Sequence, residues 1–199
     1  MDPLTAACTA VVLAGGQSRR MGRDKSLLPV DGVPLLQRLV SHLKDSFPAV
    51  LVVTGRADAY PFLDVPVLAD LRAGEGPMMG ILTGLRSART DASFVVACDI
   101  PEVDLDLVEA LLRLSEGVDA AVPRFPGDLW EPLFAVYRQS MIPHLERALA
   151  RGERKVIEAY ADAQVHTLAL AGPWRLPNLN HPADWEAWVR GRGGLPEGT

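Results

Sequence analysis

Short apolar runs recur along the first half of the chain, and each ends in a polar or glycine-containing segment. Such runs cover residues 9–14, 49–53, 93–97 and 120–123. Near-continuous apolar runs of this length are typical of strands buried on both faces of a parallel sheet. A shorter run over 65–68 predicts a further strand.

Helical patterns separate these runs. Apolar residues recur at helical spacing over 34–44, and helices are also predicted over 79–87 and 104–115, with Asp104 as the N-cap of the last. Alternation of strand, loop and helix predicts an α/β fold in which a mostly parallel sheet is covered by helices on both faces.

The second half of the chain is less regular. Strands are predicted over 132–137 and 165–170, helices over 141–151, 155–160 and 182–190, and an extended segment over 174–180. The glycine- and proline-rich tail from residue 191 is predicted to be disordered.

The first apolar run leads into two glycines and then into a group of cations. Gly15 and Gly16 are followed by Arg19, Arg20 and Lys25. Glycines let a ligand approach the main chain, and free N–H groups in such a loop attract anions. The segment therefore predicts a polyphosphate site, although a simple turn with solvated arginines is the alternative. It lacks both the Walker sequence and the G-x-G-x-x-G spacing.

Polar residues follow several of the predicted strands. Thr54, Asp70 and Asp99, together with Gly15 and Gly16, stand at carboxyl ends of predicted strands, which is where ligands bind in open α/β sheets. A carboxylate at the end of a buried strand is costly unless it is paired or metal-bound, and Mg²⁺ accepts one or two carboxylates together with phosphate oxygens and water. Asp99 is therefore a candidate Mg²⁺ ligand, with capping of the following turn as the alternative. For Lys25 the alternative is a surface ion pair with Asp24.

Several segments carry a family resemblance. Residues 13–25 (LAGGQSRRMGRDK) resemble the pattern L-A-G-G-x-S-x-R-M-G-x-D-K of the nucleotidyltransferases related to molybdenum cofactor guanylyltransferase. Residues 98–101 resemble the family's C-D-x-P segment, and residues 74–80 its G-P-L-x-G segment. The resemblance implies a three-layer, Rossmann-like nucleotidyltransferase domain over about 1–190, with a nucleotide-binding half over about 1–100 and an acceptor-binding half over about 101–190.

The resemblance also implies functional roles for individual residues. The catalytic candidates are Lys25, Arg19 and Asp99, and Asp99 is the candidate metal ligand. The nucleotide-binding candidates are Leu13, Ala14, Gly15, Gly16, Arg20, Lys25, Thr54, Asp70, Gly76 and Asp99. Loop capping is the alternative for Asp70 and a flexible loop the alternative for the segment with Gly76, and Thr54 departs from the asparagine that guanylyl members often carry. The acceptor-binding candidates are Arg154 and Lys155, which belong to a basic cluster, and Asn178 and Asn180, which resemble the family's N-x-N-x-P ending. A solvated helix end is the alternative for the basic cluster.

The implied reaction is transfer of GMP from GTP to the molybdenum-bearing molybdopterin cofactor, with Mg²⁺ as cofactor and pyrophosphate as product. Gly15-Gly16 favours the guanylyl branch, because cytidylyltransferases of the group usually carry A-A-G there. A related cytidylyltransferase or sugar-phosphate nucleotidyltransferase is one alternative, and a non-catalytic nucleotide-binding module in molybdoenzyme assembly is another. Protein partners that deliver molybdopterin or receive the product are compatible with the resemblance.

Composition removes some other classes. The net charge of −5 disfavours a general nucleic-acid binder, and two cysteines among 199 residues provide neither a disulfide framework nor zinc spacing. No segment approaches the ~20 apolar residues of a membrane helix, and the first residues lack a signal-peptide pattern. We therefore expect a cytoplasmic protein that binds neither nucleic acid nor membranes.

Overall fold

A computed structural model describes residues 5–15, 24–127, 129–170 and 188. Gly16, Arg19 and Arg20, the asparagines Asn178 and Asn180, and the predicted elements and tail beyond residue 170 lie outside the described residues. The strands are β1 (Cys8–Leu13), β2 (Pro29–Val30), β3 (Val33–Pro34), β4 (Ala49–Thr54), β5 (Val67–Ala69), β6 (Ala92–Ala97), β7 (Ala120–Phe125), β8 (Leu129–Trp130), β9 (Phe134–Arg138) and β10 (Val165–Ala169). The α-helices are α1 (Leu35–Lys44), α2 (Pro77–Ser87), α3 (Leu105–Leu114) and α4 (Ile142–Ala150), and 3₁₀ turns cover Thr5–Ala7, Lys25–Leu27, Gln139–Met141 and Val156–Asp162.

Among the described residues, eight strands form one sheet in the order β10-β7-β9-β6-β1-β4-β5, with β8 paired to β7. The pairs β1–β4, β1–β6, β4–β5 and β7–β10 are parallel, as the apolar runs predict. β9 is antiparallel to both of its neighbours, β6 and β7. It therefore joins the first half of the chain to the second within a single sheet.

Helices cover both faces of the sheet, and the residues of β1 show how the two cores are divided. Ala10 and Val12 belong to the core beneath α1 and α3, whereas Val11 and Leu13 belong to the core beneath α2 and α4. All six residues of β1 are buried. This confirms the predicted three-layer α/β architecture and explains why the run has no polar face.

Local sequence signals explain two of the element boundaries. The Oδ1 of Asp104 accepts a hydrogen bond from the Leu107 N–H at 3.1 Å, which confirms the predicted cap of α3. Asp31-Gly32 forms the turn of the β2–β3 hairpin, with φ of +51° at Asp31 and +79° at Gly32.

Other boundaries differ from the sequence-based expectation. The strand predicted from 132 begins at Phe134, because the carbonyl and carboxylate of Glu131 accept the N–H groups of Phe134 and Leu133 and close a turn there. The helix predicted over 155–160 is a 3₁₀ segment, and the two-residue strand β8 was not predicted. No helix in the described part of the chain combines the length and apolar character that crossing a membrane requires.

Candidate active site

A cleft of about 870 Å³ opens at the carboxyl ends of β1, β4, β5 and β6. Strand register creates it: Leu13 of β1 is paired with Val53 of β4 and with Ala97 of β6, so all three strands end at one level. Most of the described nucleotide-binding candidates line this cleft, namely Leu13, Gly15, Lys25, Thr54, Asp70, Gly76 and Asp99. Ala14 instead packs in the core, and its N–H donates to the Val53 carbonyl at 2.8 Å.

Lys25 and Asp99 face each other in the cleft. Lys25 Nζ lies 3.8 Å from Asp99 Oδ2, and the two side chains are 15% and 27% exposed. Burial raises the pKa of Asp99, and the positive charge of Lys25 partly opposes this effect. Lys25 is thus partly buried and close to a carboxylate that follows β6, unlike the surface lysine of the alternative interpretation.

Asp70 presents an unpartnered oxygen. Its backbone N–H donates to the Thr54 carbonyl at 2.8 Å, which continues the β4–β5 pairing by one residue. Its Oδ1 is buried and has no hydrogen-bond partner among the described residues. Burial raises the pKa of this carboxyl. Because a buried acceptor without a partner costs free energy, this oxygen is well placed to accept hydrogen bonds from a ligand.

The loop before α2 forms another wall of the cleft. Gly76 has φ of +78° and ψ of −170°, a conformation open to glycine, and Pro77 follows as the first residue of α2. The preceding Glu75 forms an ion pair with Arg154, with 2.7 Å between Glu75 Oε2 and Arg154 Nη2. This contact joins the loop to the second half of the chain.

The acceptor-binding candidates that the structure describes lie at this junction. Arg154 and Lys155 are exposed, and their backbone N–H groups both donate to Glu158 Oε2, at 2.9 and 2.8 Å. Neither is among the residues that line the cleft. The neighbouring Arg151 pairs with Glu153 and Asp162, so it is held at the helix end.

The sequence did not predict that four residues support the turn that carries Lys25, namely Asp24, Ser26, Tyr60 and Cys98. Asp24 accepts hydrogen bonds from the Ser26 N–H and from the Tyr60 hydroxyl, both at 3.0 Å. The Ser26 hydroxyl donates to Cys98 Sγ at 3.3 Å. The spacing of Asp24 and Ser26 fits a capped turn and was a usable signal. Tyr60 lies in a loop between strands, and no pattern in the sequence links it to Asp24.

The carboxylate oxygens in the cleft fit a metal site whose remaining ligands come from the substrate. The described part of the chain contains no group of three or more His, Cys, Asp or Glu side chains arranged to hold a metal. Asp99 contributes one carboxylate to the cleft. Mg²⁺ bound together with a nucleotide needs only one or two protein carboxylates, since phosphate oxygens and water complete its octahedron. Cys98 lies next to Asp99 in the sequence and also lines the cleft. Burial raises the pKa of its thiol to about 12, so this thiol stays protonated at neutral pH.

Comparison with known proteins identifies the family. The model of the MobA-like NTP transferase domain matches residues 10–165. A probable molybdenum cofactor guanylyltransferase of Carboxydothermus hydrogenoformans is 35% identical over 92% of this chain and 95% of its own. A molybdenum cofactor guanylyltransferase of Pseudomonas putida is 39% identical over 88% of this chain and 94% of its own.

Solved structures agree with this assignment. Molybdopterin-guanine dinucleotide biosynthesis protein A from Archaeoglobus fulgidus is 26% identical and has a TM-score of 0.82, with 94% of this chain and 100% of that chain covered. CMP:2-keto-3-deoxy-manno-octonic acid synthetase in complex with CTP shares the fold, with a TM-score of 0.75 at 14% identity and coverage of 94% and 99%. The chain belongs to the MobA-like NTP transferase family.

Proposed function

We propose that this protein transfers GMP from GTP to the molybdopterin form of the molybdenum cofactor and releases pyrophosphate. One observation carries the proposal: Lys25 and Asp99 face each other in the cleft at the strand ends of a MobA-like fold. Relatives with guanylyltransferase names match over about nine-tenths of the chain and support the choice of GTP.

The cleft residues suit nucleotidyl transfer. In this reaction a phosphate oxygen of the acceptor bonds to the α-phosphorus of GTP, while the bond from that phosphorus to the oxygen bridging to the β-phosphate breaks. Pyrophosphate leaves with the electron pair of the broken bond. Because the nucleophile is already an anion, positioning and charge neutralisation dominate catalysis.

We assign the phosphate-holding role to the glycine loop at Gly15 and Gly16, to Arg19 and Arg20, and to Lys25. Lys25 is a flexible point charge and can follow the phosphate whose charge develops as pyrophosphate departs. Asp99 would hold Mg²⁺, which supplies neutralisation of charge on the phosphate oxygens when it is bound. The partly buried position of Asp99 strengthens its interaction with cations by reducing screening.

Asp70 is assigned to the nucleoside. Its buried, unpartnered Oδ1 can accept a hydrogen bond from guanine N1–H or the neighbouring exocyclic amine, or from a ribose hydroxyl. Thr54 is 6% exposed, so its contribution is assigned to its backbone. Gly76 lets the main chain of the loop before α2 lie close to the base and sugar.

The acceptor is assigned to the second half of the chain, through Arg154, Lys155, Asn178 and Asn180. Arg154 is supported by its ion pair with Glu75, which places it beside the loop that carries Gly76. We further propose a single catalytic domain over residues 1–190, a cytoplasmic location, and transient contact with proteins that deliver molybdopterin or receive the product.

The test is turnover by the purified protein with GTP, CTP or ATP, each with Mg²⁺ and molybdopterin cofactor. Pyrophosphate and a guanine dinucleotide product are expected with GTP. Lys25→Ala and Asp99→Ala should abolish this turnover, whereas Lys44→Ala and Asp64→Ala remove an exposed lysine–aspartate pair and should retain it. A cytidine product alone would overturn the base assignment. Nucleotide binding without pyrophosphate release would favour the non-catalytic module.

A further inference from the structure

A tyrosine hydroxyl from the loop after β4 reaches the turn that carries Lys25. Tyr60 Oη donates to Asp24 Oδ2 at 3.0 Å, while Asp24 Oδ1 accepts the Ser26 N–H at 3.0 Å. Asp24 is thereby the N-cap of the Lys25–Leu27 turn. Each oxygen of this carboxylate has a defined partner, so its orientation, and with it the start of the turn, is fixed.

The same turn is tied to the strand that ends at Asp99. Ser26 Oγ donates to Cys98 Sγ at 3.3 Å, and the Cys98 N–H donates to the Leu13 carbonyl at 3.1 Å. Lys25 is therefore held on both sides, by Asp24 before it and by Ser26 after it. This double attachment fixes the backbone turn from which the Lys25 side chain extends toward Asp99, with Nζ 3.8 Å from Asp99 Oδ2.

Tyr60 is a rigid donor for this purpose. Its side chain is 4% exposed and belongs to the core on the α1 and α3 side of the sheet. Its ring meets Phe62 edge to face at 6.0 Å, and its carbonyl accepts the Leu63 N–H at 3.1 Å. Burial raises the pKa of Tyr60 to about 12, so the hydroxyl keeps its proton at neutral pH and donates to Asp24.

We propose that Tyr60 is a positioning residue, whose hydroxyl fixes Asp24 and thereby holds Lys25 opposite Asp99 to grip the phosphates of the bound nucleotide. The inference rests on the proposed function for the identity of that nucleotide. It does not depend on turnover, because positioning of Lys25 already affects binding. Hydrogen bonds to charged groups are among the stronger ones, so loss of this hydroxyl should be measurable.

The test is a double-mutant cycle on GTP binding, measured by calorimetry with Mg²⁺. Tyr60→Phe should weaken binding about tenfold in the wild-type background and less than about twofold in Lys25→Ala, because a residue that acts through Lys25 has nothing to position once Lys25 is gone. The matched control is Tyr160→Phe, which also removes a hydrogen-bonded hydroxyl from a partly buried tyrosine, at 2.6 Å from the Tyr137 hydroxyl. It should bind GTP as the wild type does.

A second ligand distinguishes positioning from general loosening of the fold. Guanosine has no phosphates, so Tyr60→Phe should leave its affinity unchanged, whereas a structural defect would weaken guanosine and GTP alike. Asp24→Ala removes the acceptor instead of the donor and should show the same selectivity for GTP. Urea unfolding of each variant confirms that the native state is populated.

If Tyr60→Phe weakened GTP binding equally in the wild-type and Lys25→Ala proteins, or weakened it in neither, the inference would be overturned. Equal loss of guanosine and GTP affinity would also overturn it. These outcomes are separate from a failure of the proposed function. A wild-type protein that binds GTP but releases no pyrophosphate with the acceptor would refute the reaction, while the binding cycle still decides the role of Tyr60.

Discussion

Gly84 lies in α2 where this helix contacts Val11 of β1, and replacing it with alanine tests how closely the two elements are packed. An added Cβ would lie 3.2 Å from Val11 Cγ2 and 3.3 Å from Val11 Cβ, and closer still to Cγ1. A change of the Val11 rotamer would move Cγ1 and Cγ2 but would leave the close contact with Cβ. Val11 is fully buried, so the strain must be taken up by movement of the helix or strand.

Two opposing effects set the magnitude for Gly84→Ala. Overpacking a core costs about 1–3 kcal/mol, whereas replacing glycine with alanine inside a helix gains about 1 kcal/mol. Because the added Cβ would lie closer to Val11 Cγ1 than real Cβ atoms lie to any neighbour, the upper part of the overpacking range applies, about 2–3 kcal/mol. After the helix gain we expect Gly84→Ala to lower the free energy of unfolding by about 1–2 kcal/mol. In a domain of this size each kcal/mol corresponds to roughly 2–4 °C in the melting temperature.

Urea unfolding followed by circular dichroism measures this loss, with Gly80→Ala as the matched control in the same helix. A Cβ at Gly80 would first meet Leu13 Cδ2 at 3.1 Å, the end of a flexible side chain that can move aside. The cost of moving Leu13 is offset by the gain from alanine in the helix, so that variant should stay within about 0.5 kcal/mol of wild type. Val11→Ala should partly rescue Gly84→Ala. Equal stability of Gly84→Ala and Gly80→Ala, or no rescue of Gly84→Ala by Val11→Ala, would refute the packing argument.

Three further predictions concern the cleft. Asp99→Asn should lower pyrophosphate release from GTP by about 100-fold or more without lowering the melting temperature, since it removes the charge that faces Lys25. Turnover near that of wild type would contradict the catalytic role of Asp99. Burial raises the pKa of the Asp70 carboxyl. The protonated carboxyl therefore contributes to folding stability below its ordinary pKa, and this contribution is lost as the pH rises through its raised pKa in the folded protein. Asp70→Asn should therefore raise the urea midpoint at pH 7 and raise it less at pH 4, while it weakens GTP binding. A rise in the urea midpoint that is the same at both pH values would contradict the assignment of this effect to the Asp70 charge. Arg154→Ala should raise KM for the acceptor about tenfold and leave KM for GTP unchanged in steady-state assays, and the opposite pattern would place Arg154 in the nucleotide site.

Periodicity was sufficient to predict the architecture where each element is determined by its own residues. The continuous apolar run of β1 and the helical spacing of α1 predicted their burial, and Asp104 predicted the start of α3. The direction of β9 was not predictable in this way. An apolar strand has the same pattern whether its neighbours are parallel or antiparallel, and only the long-range pairing with β6 and β7 decides the direction.

At the candidate site, too, the location of residues was predictable from the sequence but their long-range partners were not. The strand-end rule predicted that Gly15, Thr54, Asp70 and Asp99 would share one edge, and register brings them to one cleft. Partners of individual side chains depend on tertiary contacts between segments far apart in the chain. The hydrogen bond from Tyr60 to Asp24 spans 36 positions, and no local pattern encodes it.

The antiparallel strand β9 has a consequence for any attempt to divide the protein. It pairs with β6 on one side and with β7 on the other. A polypeptide cut after residue 100 would leave β6 with a bare edge of N–H and C=O groups, a template for aggregation with other molecules. The half that carries Lys25 and Asp99 should therefore precipitate when produced alone. Coexpression with residues 101–199 should restore it by fragment complementation, because β9 from the second piece closes the open edge.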